Sequence, residues 1–318
     1  MIKRARRALL GARSFHFDAD TDGALHLASR GDDGRARFTA RVSKDWSIGG
    51  TPNGGFLSAL ALAAALREAP REHPHFLSWS AFFVAPADEA APAELAVERV
   101  GAPSKGSSHW RVELRQSGAT RAHFAGLLGD LGRLRGPSLR SPGPMTHAPE
   151  LPSPEACADA AAALRERIGT PSAAAPRFDI ARQYELRVAA DSRFARAVID
   201  RTDGAAGGGL DAPAVIEAWV GFGDGRAPLL GETAPLLLLD AFPPPILALH
   251  PTPWVPTLEY TVHRFRPPSE ADDARFARAR FEASLMCSSL IQEDGALWTA
   301  DGELVARSRQ LGRLLLPR

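Results

Sequence analysis

Cysteine is scarce: Cys157 and Cys287 are the only two in 318 residues. They form no C-x-x-C or other metal spacing. One pair in so long a chain is no disulfide framework, which points to a reducing, cytoplasmic compartment. The nine histidines show no H-E-x-x-H or related spacing, so no metal is indicated and no cofactor is implied. An excess of charge is also missing. Lys and Arg number 38 against 37 Asp and Glu, a net charge of +1, which leaves no electrostatic case for nucleic acid or an acidic membrane. No apolar run reaches the ~18 residues of a membrane span. The basic start MIKRARRALLG has too short an apolar stretch for a signal sequence and reads as a solvated tail. No G-K-[ST] follows a Gly-rich loop, and G-x-G-x-x-G and G-x-S-x-G are absent. A Walker loop, a dinucleotide fingerprint and a nucleophile elbow are thereby argued against.

The composition that remains is globular, with 45% apolar and 24% charged residues, enough to bury a sizeable core. The segment from Ser14 to Trp46 reads as strands divided by turns at Asp22-Gly23 and Asp33-Gly34. WSIGGTPNGGFLSALALAAALREAP (Trp46 to Pro70) is a Gly-rich loop feeding a helix that Asn53 can cap and Pro70 stops. Its apolar residues run almost all the way round, as in a helix buried against a sheet. Alternating strands follow. From Gly132 to Pro154 the composition is that of a linker. SPEACADAAAALRERIG then predicts a helix with Ser153 as cap and Pro154 at its first position.

The chain repeats itself. Trp219 follows Trp46, and Pro243 follows Pro70, at the same separation. Each Trp leads through a loop into a helix, the second being RAPLLGETAPLLLLDAF. FLSWSAFFVAP (from Phe76) lies over TLEYTVHRFRP (from Thr257), and Gly118 over Gly302. Two copies of strand, long helix and antiparallel strands predict an α+β double hot-dog, each sheet wrapped around a central helix. Pairing the halves edge to edge would cover an exposed strand. The expected organisation is a tail over 1–13, a first hot-dog over 14–131, a linker with one helix over 132–176 and a second hot-dog over 177–318.

W-x-x-GG-x-x-x-GGF before a long Ala/Leu helix, followed by LSWSAFFVAPA, resembles the thioesterase-like superfamily, and within it the double hot-dog acyl-CoA thioesterases II of bacteria. The resemblance runs from about Ser14 to Leu316. It implies hydrolysis of an acyl-CoA or related thioester by an Asp, a Thr and a Gln of the second half. These fall on Asp240, Thr257 and Gln310. After Thr257 the relative has an acid and a His, where this chain has Glu259 and Tyr260.

Thioester hydrolysis needs an activated water and a donor for the developing oxyanion. A carboxylate can deprotonate the water, while a hydroxyl and a carboxamide fix its other hydrogen bonds. The matching first-half positions, taken as Arg67, Phe76 and Gly126, cannot do this, so one site per chain is expected. Asp240 follows four leucines near a helix C-terminus, where both dipole and apolar neighbours disfavour its anion. Gly54 and Gly55 open a helix whose N–H groups could polarise the thioester carbonyl; tight packing explains them as well. Leu236 to Leu239 and Phe56 could line an acyl tunnel or simply fill the core. Cys287 reads as a buried strand thiol, and His73 and His75 as loop residues. A non-catalytic acyl or aromatic ligand-binding protein and a hot-dog dehydratase or hydratase are the alternatives, and the chain could form homo-oligomers.

Overall fold

A 15-residue helix, α1 (Gly54–Glu68), starts where Asn53 Oδ1 accepts the Phe56 N–H at 3.0 Å and stops before Pro70. Every residue from Gly55 to Ala65 is buried. Ala and Leu dominate that run, so the helix can pass close to its neighbours on all sides. The computed structural model describes residues 16–31, 34–89, 91–102, 104–168, 178–200, 214–223, 230–248, 255–269 and 274–315.

The first half supplies strands β1 (Leu25–Arg30), β2 (Ala36–Arg41), β3 (Ser47–Ile48), β4 (Thr51–Pro52), β5 (His75–Phe83), β6 (Pro92–Val100), β7 (Ser107–Gln116) and β8 (Ala119–Gly129). The second supplies β9 (Ala158–Asp159), β10 (Tyr184–Val188), β11 (Ala214–Phe222), β12 (Thr257–Arg264), β13 (Ala277–Cys287), β14 (Leu290–Trp298) and β15 (Leu304–Arg313). All but β3 and β4 join one 13-stranded sheet in the order β1-β2-β6-β7-β8-β5-β12-β15-β14-β13-β11-β10-β9. The halves meet where β5 pairs antiparallel with β12, Thr261 opposite Ser80, so two edges are closed against each other. On β2 the burial alternates without a break, one face against the core and one to solvent.

The repeat is visible in the registers. Trp79 pairs with Gly126 and Gly126 with Trp110; Tyr260 pairs with Gln310 and Gln310 with Glu293. Bulges recur at matching places, between Phe76 and Ser78 and between Thr257 and Glu259. They recur again between Leu114 and Arg115 and between Leu297 and Trp298. Phe76, Trp79, Trp110 and Gly126 are therefore the counterparts of Thr257, Tyr260, Glu293 and Gln310.

Several expectations need correction. Among the described residues the second half has no long central helix: α3 (Ala234–Leu238) is five residues, cut short ahead of the Pro243 to Pro245 run. Arg67 is consequently not the counterpart of Asp240. Counted from each helix start, Asp240 is level with the buried Leu60, while Arg67 sits in the last turn of α1, bonded to Asp22 and the Leu25 carbonyl. Trp46 lies in a turn after β2, whereas Trp219 lies inside β11. His16–Asp20 is a short helix, and Asp22-Gly23 belongs to a helical turn rather than a hairpin. The β1–β2 hairpin does turn at Gly34, at φ 75°, while Asp33 lies outside the described residues. The linker-side helix α2 (Ala160–Ile168) starts later than predicted. Pro154–Ala156 forms a separate turn without a Ser153 cap, and Asp159 Oδ1 accepts the Ala162 N–H at 2.9 Å. Cys287 is exposed at the end of its strand, and Cys157 is the buried thiol. His73 is buried against Ser108 and His75 begins β5.

Candidate active site

The Gly-rich loop resolves into two devices. Gly49 and Gly50, at φ 60° and 81°, make the two-residue turn between β3 and β4. Gly54 and Gly55 let α3 approach the start of α1. A Cβ on Gly55 would stand 2.4 Å from the Leu236 carbonyl oxygen and 2.8 Å from Asp240 Cβ. On Gly54 it would stand 2.6 Å from the Phe83 ring.

Asp240, two residues past the end of α3, lies across the seam on the N-terminus of the other half's helix. Its Oδ2 accepts the Gly55 N–H at 2.6 Å and Asn53 Nδ2 at 3.0 Å, and Asn53 Nδ2 also reaches the Asp240 carbonyl at 3.1 Å. Asn53 thus caps α1 with its oxygen and holds Asp240 with its nitrogen. Burial pushes the Asp240 carboxyl up to about 7, and the hydrogen bonds from Gly55 and Asn53 oppose that rise without cancelling it. The residue still keeps part of its surface open to solvent. Its own helix is too short to matter as a dipole; the 15-residue helix that faces it favours the anion.

On the sheet side, the β12 bulge decides what meets. Thr257 and Tyr260 stand at odd spacing and would point to opposite faces of a regular strand. The bulge between Thr257 and Glu259 turns Thr257 to the face of Tyr260, opposite Gly312. There Thr257 Oγ1 donates to Gln310 Oε1 at 3.1 Å. Gln310 Nε2 donates to Glu293 Oε1 at 2.9 Å. Tyr260, 1% exposed, donates its hydroxyl to the Leu236 carbonyl at 2.8 Å and so pins α3 to the sheet. Its neighbour Glu259 accepts from Thr261 instead.

Two groups thus form. Asp240 is joined to Asn53 and Gly55, and Thr257 is joined to Gln310 and Glu293. What links them is charge: Asp240 and Glu293 each raise the Tyr260 hydroxyl, and Asp240 raises Glu293. Burial is the main cause that pushes Glu293 up to about 8. The sequence reading missed Asn53 as a partner of Asp240, and missed Glu293 altogether. Glu293 had a signal: its side of the repeat carries Trp110, an aromatic-to-acid exchange at a core position. The Gly55 N–H, considered as a carbonyl donor, is taken by Asp240. Leu236 to Leu239 and Phe56 are core residues, none more than 1% exposed. Much of the second-half loop Gly221 to Gly231 lies outside the described residues. Among the described residues no cluster of His, Cys, Asp and Glu is arranged to hold a metal, and no helix is long and apolar enough to cross a membrane.

No curated protein sequence matches this chain. Its fold is similar to that of a candidate thioesterase II from Thermobifida fusca YX, 23% identical with a TM-score of 0.74, covering 96% of this chain and 99% of that one. A conserved hot-dog protein of unknown function from Alicyclobacillus acidocaldarius is 21% identical with a TM-score of 0.71, covering 96% and 100%. An acyl-CoA thioesterase II from Mycobacterium marinum is 16% identical with a TM-score of 0.59, covering 92% and 96%. These likenesses carry the doubled hot-dog fold. The acyl-CoA thioesterase N-terminal domain matches residues 26–129, and the acyl-CoA thioesterase C-terminal domain matches residues 154–314. With both domains matched in order over most of its length, the chain belongs to the acyl-CoA thioesterase family.

Proposed function

We propose that this protein hydrolyses acyl-CoA thioesters to a free acid and CoA, with Asp240 activating the water and Thr257 and Gln310 holding it. The water oxygen attacks the thioester carbonyl carbon while its proton passes to the Asp240 carboxylate. The tetrahedral intermediate collapses, the C–S bond breaks, and the proton goes to the departing thiolate. No cofactor is needed for this sequence. Gly54, at the same helix end, is the backbone left to approach the acyl carbonyl, since the Gly55 N–H is engaged.

The observation that carries this reading is a single carboxylate held across the seam. Asp240 has a proton affinity near neutrality, which suits a general base working at physiological pH. Asp240, Thr257 and Gln310 each keep partial solvent access, as groups that bind water must. The fifteen residues of α1 aim their dipole at the place where charge develops.

The test is CoA release from a chain-length series of acyl-CoAs. Asp240→Asn should lower kcat by about 10²- to 10⁴-fold. Wild-type protein that releases no CoA from any member, or an Asn variant as fast as wild type, rejects the proposal.

A further inference from the structure

Glu293 is the acid of this site to which the reaction above gives no task. It stands on β14 beside Gln310 of β15, which stands beside Tyr260 of β12, so the three line up on one face. That is the face α3 and the residue after it cover: Tyr260 reaches the Leu236 carbonyl, and a Cβ on Gly295, the next inward position of β14, would meet Leu239 at 3.2 Å. Glu293 is 8% exposed and receives one hydrogen bond, from Gln310 Nε2. No cation among the described residues pairs with it. Asp240 and Asp294 are the charges that reach it, and Asp294 is itself held by Arg309 and Gln292. Resting on the hydrolase reading, we infer that Glu293 is a positioning residue, whose carboxyl fixes the Gln310 amide so that the Thr257 hydroxyl presents its lone pairs to the water.

An amide side chain can be turned end for end with little change of shape, so its neighbours decide which end faces which. Glu293 Oε1 accepts, so the NH2 of Gln310 faces it and the amide oxygen faces Thr257. Thr257 must then donate, which leaves its oxygen to accept from water. Without Glu293 the amide is free to flip, and Thr257 can spend its lone pairs on Gln310. The repeat points the same way. Where the second half has Thr257, Glu293 and Gln310, the first has Phe76, Trp110 and Gly126, so the three change together. A Cβ on Gly126 would already overlap the Trp79 ring. Burial keeps the Glu293 carboxyl protonated at neutral pH, as it is pushed up to about 8. Its unprotonated oxygen still accepts from Gln310, and Asp240 remains the only anion of the pair. Ionisation of Glu293 would add a second negative charge where the transition state gains one.

The experiment compares Glu293→Leu with Glu293→Gln on an acyl-CoA that the wild type hydrolyses, across pH. The leucine variant should lose about 10- to 100-fold in kcat with KM nearly unchanged, the size of a misoriented catalytic group. Trp110 at the matching first-half site is buried opposite Gly126, and a urea melt of the leucine variant checks that the second half folds with an apolar residue opposite Gln310. The glutamine variant, which keeps an acceptor oxygen, should recover most of the lost kcat. It should also lose the decline in rate that the wild type shows as pH rises past the Glu293 ionisation. Unchanged kcat in the leucine variant, no rescue by glutamine, or a persistent alkaline decline overturns the inference. A 15N-NMR spectrum of the glutamine side chains needs no substrate. A Gln310 NH2 pair, identified by its absence from Gln310→Ala, that moves in Glu293→Leu and stays near its wild-type position in Glu293→Gln supports the inference, and one unmoved by Glu293→Leu overturns it. An enzyme inactive on every acyl-CoA with the Gln310 pair responding to Glu293→Leu would instead fail the hydrolase reading alone.

Discussion

Asp240→Asn should make the protein more stable at neutral pH while slowing hydrolysis about 10²- to 10⁴-fold. The substitution keeps the shape of the side chain, and the amide oxygen can still accept from Gly55 N–H and Asn53 Nδ2. What it removes is the cost of ionising a carboxyl that burial has moved from 3.8 to about 7. In the unfolded chain the group returns to its ordinary value. A folded pKa above the unfolded one means that the contribution of Asp240 is full below about pH 4 and is lost as pH rises through 7. The slope is about 1.4 kcal/mol per pH unit, and the whole window is worth about 4 kcal/mol. The partial solvent access of Asp240 lowers this to about 2–4 kcal/mol. Urea denaturation at pH 4 and pH 8 tests it. The variants should agree at the acid end, and Asn should have the higher midpoint at the alkaline end with the same m-value. A difference independent of pH, or an Asn variant less stable at pH 8, refutes the burial argument.

Three further outcomes follow from the packing. Gly55→Ala gains helix propensity but drives a Cβ into Leu236 O and Asp240 Cβ, so it should cost about 2–4 kcal/mol by urea melt and lower kcat as well. Thr257→Val removes the hydroxyl that meets Gln310 and should cut kcat about 10-fold or more, while Thr257→Ser keeps most of it. In the native protein a thiol reagent should modify Cys287 promptly and Cys157 only on unfolding, as mass spectrometry of the two peptides would report.

The sequence made the architecture legible because hairpin glycines and alternating strands are local signals, and the registers uphold the pairing of Phe76 with Thr257 and Gly126 with Gln310. The first helix ends before Pro70 as its sequence predicts, and the second departs from its prediction for a physical reason. Pro70 and Pro243 occupy matching places, but the run Pro243 to Pro245 ends α3 so early that Asp240 lies in the turn beyond a short helix rather than on a long one. The partners of Asp240 were not legible either. Gly55 and Asn53 are remote in sequence and meet it only because two helices cross at residues without a Cβ or with a small side chain. The bulge that turns Thr257 inward leaves no mark in composition; it shows only in the pairing with β15.

The two halves divide their labour at matched positions. Trp79, Trp110 and Phe76 fill the space that Tyr260, Glu293 and Thr257 keep polar, so the first half should supply stability and the second activity. Trp110→Phe tests the division. Trp110 is 4% exposed and donates its indole N–H to Ser108 Oγ at 2.8 Å, and Ser108 in turn meets His73 at 3.0 Å. Losing that donor and part of the ring should cost about 1–3 kcal/mol in a thermal or urea melt. The same change leaves Asp240, Glu293, Gln310 and Thr257 with all their partners, so kcat should stay within about threefold of wild type. A large fall in kcat with little change in stability would mean that the aromatic half-site takes part in the chemistry, and the assignment of one working site per chain would have to be given up.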